Sequence, residues 1–147
     1  SLQWSGGILA LGILTGGVSG LGIGYLVMAT GQGKRILQAL GILMTFTYVG
    51  MTLTSSLPLL LVLSVLNGLA WGFWPILYTV PFQLPGIKTR DVGVALAFTM
   101  MMISAGTVLG PLITGFLQEV VSLKVTLLII SFFALSLSAA GTFLRRA

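Results

Sequence analysis

The chain has 147 residues, of which 56% are hydrophobic and 6% charged, and its seven basic and two acidic side chains give a net charge of +5. A soluble domain carries about 25% charge, so this chain has too little polar material to clothe a soluble core. Cysteine and histidine are absent, which argues against disulfides, metal sites and any cofactor, and the basic residues fall in short pairs instead of a stripe, which argues against nucleic acid.

Five runs, 2–28, 36–53, 57–77, 92–117 and 125–144, contain no Asp, Glu, Lys or Arg. About 20 apolar residues rising 1.5 Å each match the roughly 30 Å hydrocarbon core of a bilayer. The expectation is an all-α polytopic transmembrane bundle, a single domain of five spans. The first run is too long, and lacks the basic leader, for a signal peptide.

The first span places Gly12, Gly16, Gly20 and Gly24 in strict four-residue steps. Helical periodicity puts them on one face, a groove that lets another helix approach closely; lining a solute path is the alternative, and the two are compatible. The gap after it reads Gly31-Gln-Gly33-Lys34-Arg35. The second span carries Gln38, Thr45, Thr47 and Tyr48 and reads as a lipid-facing or packing helix.

The third span holds Asn67, Trp71, Trp74 and Tyr78 at i, i+4, i+7 and i+11, one continuous face, with Gly68 and Gly72 beside it. An unsatisfied amide in hydrocarbon costs several kcal/mol, so Asn67 must face protein or a water-filled cavity. Two readings stand for this face: an interface filled by aromatics, or the wall of a solute cavity. Pro75 predicts a bend. Pro81 and Pro85 end the helix, and Asp91 stands where a carboxylate meets the free amides and positive dipole at the start of the fourth span.

That fourth span contains Gly106-Thr-Val-Leu-Gly110-Pro111-Leu-Ile-Thr114-Gly115, predicting a bend at Pro111 that the glycines allow a neighbour to pack against. Upstream, Thr99, Met100, Met101, Met102 and Ser104 make a soft, slightly polar stretch, core packing by default and cavity lining as the alternative. The fifth span carries Ser131, Ser136 and Ser138, small hydroxyls able to bond back to their own helix, and reads like the second. Alternating the gaps across the bilayer collects Lys34, Arg35, Lys88, Arg90, Arg145 and Arg146, six of the seven basic residues, on one side. The positive-inside rule makes that side cytoplasmic, which puts the start of the chain outside and its end inside.

These features together resemble half of a major facilitator superfamily transporter. The fourth span resembles the family's glycine–proline motif, in which G-x-x-x-G-P is followed closely by glycine. Gly33-Lys34-Arg35 resembles the end of its cytoplasmic loop motif, with Thr30 where the family has an acidic residue. The order of spans, loop lengths and charged sides fits along the whole chain, and 81–87 is similar to the cyanate and nitrate/nitrite-type porters. The resemblance implies twelve helices in two halves rocking about a central site, of which these five are helices eight to twelve. The missing loop acid, the lack of arginine in 61–72 and the Arg145-Arg146 end all favour the second half. Its partners would be the lipid bilayer, the first half of the same transporter and a small solute, with a coupling ion as an option, in a plasma or inner membrane. Any titrating group for coupling would lie in the other half.

A small five-span membrane protein acting as an assembly partner is the alternative; it would need an initiator methionine, and the chain begins Ser1-Leu-Gln-Trp. An intramembrane enzyme is not expected, since no base, metal ligand or activated nucleophile lies at membrane depth.

Overall fold

Apolar segments in lipid satisfy every backbone group internally only as helices or closed barrels. The computed structural model, which describes residues 2–83, 86 and 88–143, is all-helical, with no strand among the described residues. Five of its helices are long and apolar enough to cross a membrane. Pro85, Leu144, Arg145 and Arg146 lie outside the described residues.

Helix α1 spans Leu2–Thr30 and stops at Gly31, whose φ of 64° is a left-handed conformation glycine enters without strain. The Gly31 N–H donates to the Val27 carbonyl at 2.9 Å. Helix α2 begins two residues later and spans Gly33–Leu53, so Gly33, Lys34 and Arg35 stand in its first turn and not in a loop. Lysine and arginine are good helix formers; a charge ends an apolar run without ending the helix. The fourth span is longer than its apolar run for the same reason.

The third span is α3 (Leu57–Ala70), a 3-10 turn at Trp71–Phe73, α4 (Trp74–Thr79) and a second 3-10 turn at Val80–Gln83. Pro58 fits the first turn, where its missing N–H has no helical partner to lose. Pro75 cannot donate to the Trp71 carbonyl, and the chain answers by tightening into the 3-10 turn just before it. The fourth span, α5 (Thr89–Val120), runs as one continuous helix through Pro111. Asp91 stands in its first turn, but no side-chain hydrogen bond caps this end, where Lys88 holds the N-cap position. The fifth span divides into α6 (Leu123–Phe133) and α7 (Leu135–Phe143) around Ala134. No proline or glycine lies there; the Ser131 hydroxyl takes the Leu127 carbonyl at 2.7 Å, a back-bond of the kind that bends helices.

Helix α2 is the centre of the bundle and not a peripheral span: it packs against α3, α6 and α7, while α1 packs chiefly against α3. Leu37, Leu40 and Met44 of α2 meet Ala70, Phe73 and Ile76 of the third span to form the buried core, with Ile23 and Val27 of α1 and Leu137 of α7 against it. Two glycine contacts set the spacing. A methyl on Gly68 would lie 2.6 Å from the Gly12 carbonyl oxygen, and one on Gly41 would lie 2.7 Å from the Ser138 nitrogen. The Ser138 hydroxyl donates to the Gln38 carbonyl at 2.7 Å, and Lys34 Nζ donates to the Thr142 carbonyl at 3.2 Å, so the start of α2 is tied to the end of α7. By contrast α5 packs chiefly against α6 and the Val80–Gln83 turn.

Candidate functional site

The core fills the end of the bundle where α1 finishes and α2 begins. Towards the other end the helices part, leaving a cleft of about 900 Å³ between α1, the last turns of α2 and the third span. Gly12, Gly16, Asn67, Trp71 and Trp74 all border it, so the glycine face of the first span and the polar–aromatic face of the third meet at one place. Ile8, Leu9, Ile13 and Met51 supply its apolar walls.

The glycine ladder runs along the third span over its whole length. Methyls built on Gly12 and Gly16 would lie 3.1 Å from Ser64 Oγ and 3.4 Å from Trp71 Cβ, and Gly20 and Gly24 face the Pro75 ring at 4.0 and 3.5 Å. Opposite, Gly72 is pressed against Ile23 and Ser19. Hydroxyls stitch this contact: Ser64 donates to the Ile8 carbonyl at 2.8 Å, and Ser19 reaches the Gly68 and Leu69 carbonyls at 3.1 and 3.3 Å. In lipid, apolar burial gives little drive for helices to associate, so close approach and such bonds carry the contact.

Asn67 has the partner its position demands. Its Nδ2 donates to Thr47 Oγ1 at 2.9 Å, and that fully buried hydroxyl donates in turn to the Met44 carbonyl at 2.9 Å. Trp71, still 42% exposed, donates from Nε1 to the Tyr48 hydroxyl at 3.1 Å. Trp74 stacks on Phe73 with ring centres 4.9 Å apart and on Tyr78 at 5.9 Å. Tyr78 therefore continues the aromatic row, but it does not line the cleft. Ser64 and Phe73 join the site without having been named from the sequence, and Thr47 and Tyr48 were read there only as part of a lipid-facing or packing helix. An apolar period marks a face but not the face it meets, and only the hydroxyls of Thr47 and Tyr48 hinted that α2 had polar work to do.

Thr99 and Ser104 are not brought to this cleft. They lie on α5, where the Thr99 hydroxyl bonds back to the Ala95 carbonyl at 2.9 Å and Ser104 is exposed. Gly106, Gly110 and Gly115 have nothing within 4 Å of the methyl each lacks, so no described neighbour packs beside Pro111. Lys34 and Arg35 stand at the closed end, away from the cleft. A second crevice of about 290 Å³ opens between α2 and α6, and Tyr48 and Met51 border both spaces.

Comparison with protein-family models, with curated proteins and with solved structures yields no match.

Proposed function

We propose that this chain forms helices eight to twelve of a major facilitator superfamily transporter, which moves a small solute across a plasma or inner membrane by alternating access. The observation that carries the reading is the cleft: an opening of about 900 Å³ within the apolar length of three spans, bordered by an amide, a phenol and two indoles. Polar groups at membrane depth are costly and mark solute pathways. In this reading the basic turn at Lys34 and Arg35 is cytoplasmic, and the chain starts outside. The cleft opens at the end remote from that turn, an outward-facing arrangement, and the open side of α5 receives the helices of the other half. The protein performs no covalent chemistry.

Because this sequence contains no cysteine, single thiols report the cleft cleanly. Ser64→Cys and Asn67→Cys in the native polypeptide are expected to react with a small hydrophilic methanethiosulfonate reagent, above the background of the parent protein, while Val62→Cys on the exposed lipid side stays inert. An unreactive pair would mean a dry interface and end the transport reading. It would favour the second one, a membrane assembly partner, which the open face of Gly106 and Gly110 supports.

A further inference from the structure

We infer that the basic end of the bundle is a docking surface for anionic phospholipids, whose headgroup phosphates supply the counter-charge this chain lacks there. Nothing in this depends on transport, since the same end meets lipid headgroups in a transporter or in an assembly partner.

The path of the chain gathers the charges. The start of α2, the foot of the third span and the close of α7 lie together: a methyl on Gly33 would sit 3.9 Å from Ile76 Cγ2, and Lys34 Nζ donates to the Thr142 carbonyl at 3.2 Å. Helix α5 starts at the same end, where it meets the Val80–Gln83 turn. Arg35 in the first turn of α2, Lys88 at the N-cap of α5 and Arg90 in its first turn therefore stand at one end, and all three are exposed. Asp91 is the sole acid there among the described residues. The opposite end carries Glu119 and Lys124, one charge of each sign. Outnumbering their one acid, the basic groups draw counter-charge from outside the chain.

Membrane geometry decides what supplies it. The 21 residues of α2 reach about 32 Å at 1.5 Å each, close to the roughly 30 Å hydrocarbon core, so its first turn stands where phosphates begin. Lys88 and Arg90 likewise precede the apolar run of α5 at 92–117. Phe82, 66% exposed in the Val80–Gln83 turn, sets an aromatic ring beside these cations. Apolar side chains flanked by cations hold a protein at the boundary between acyl chains and headgroups. A zwitterionic headgroup brings its own ammonium and offers little net attraction, whereas a phosphatidylglycerol phosphate is not offset. Each Lys or Arg at an anionic surface strengthens association about fivefold.

A bimane on Phe82→Cys, in the native polypeptide otherwise free of cysteine, reports lipid at this end, its ring standing in for the one removed. A second bimane on Val120→Cys, 83% exposed before the change, reports the other end. Vesicles of phosphatidylcholine contain a graded fraction of either phosphatidylglycerol or phosphatidylcholine carrying a nitroxide quencher on the acyl chain. At position 82, phosphatidylglycerol is expected to quench at an about fivefold lower fraction than phosphatidylcholine; at position 120 the two should quench alike. The preference should shrink at about 1 M salt, where the screening length falls to about 3 Å. Arg35→Gln, Lys88→Gln and Arg90→Gln together should remove most of it. Lys88→Gln alone, where no side-chain bond caps the helix, should give a smaller loss in the same direction if the triple variant fails to fold. Equal quenching at position 82, an equal preference at position 120, or a preference untouched by these variants overturns the proposal. Equal quenching would leave the basic end to an acidic segment of a partner protein.

Discussion

The glycines of this chain divide by what a single methyl would strike. At Gly68 it would meet the Gly12 carbonyl and the Thr15 Cβ at 2.6 and 2.7 Å, a backbone atom and a branched carbon that cannot step aside. Gly68→Ala is expected to cost about 1–3 kcal/mol, read as a lowered thermal midpoint of the native polypeptide in detergent. Gly16→Ala meets only ordinary contact at 3.4 Å, and Gly106→Ala meets nothing. The first should be near neutral, and the second neutral or stabilising through helix propensity. Equal losses at all three positions would sink this ranking. The four-residue steps made the ladder legible in the sequence, and the same arithmetic joined Asn67, Trp71 and Trp74. What spacing could not supply was the identity of the opposing atoms, because a helical period carries no information about which helix lies across from it.

Each span behaves according to the support around it. Pro75 and Pro111 both remove a backbone hydrogen bond, yet only the first interrupts its helix. Near Pro75, Gly72 is wedged against Ser19, whose hydroxyl takes two carbonyls of the preceding turn. Pro111 has no described neighbour to exploit a break. The Trp71–Tyr48 bond joins the interrupted span to α2, and a double-mutant cycle measures it: Trp71→Phe and Tyr48→Phe should show a coupling of about 0.5–1.5 kcal/mol. Strict additivity in thermal stability would mean the bond contributes nothing. A disturbance at Pro75 was legible because proline removes a ladder bond, although Pro111 shows that this loss alone does not interrupt a helix. The break at Ala134 was not, since a serine back-bond bends a helix only in some packings.

At the scale of the molecule, hydropathy announced five apolar helices plainly, because a run of about 20 such residues has few other uses. Their neighbours were hidden: the plain second span proved central and the motif-rich fourth proved marginal. Composition scores a helix by its own residues, whereas position in a bundle depends on every other helix. The sidedness proposed from the basic residues is checked with an impermeant thiol reagent on intact cells. Glu119→Cys should label and Arg90→Cys should not, and the reverse pattern would invert the topology. One further property follows from α5. Its apolar stretch, 92–117, reaches about 39 Å at 1.5 Å per residue, against a hydrocarbon slab of roughly 30 Å, and it packs chiefly on α6 and the Val80–Gln83 turn. Surplus length is accommodated by leaning, so this helix stands more upright in membranes of longer acyl chains, and the protein's outline follows the lipid it is given.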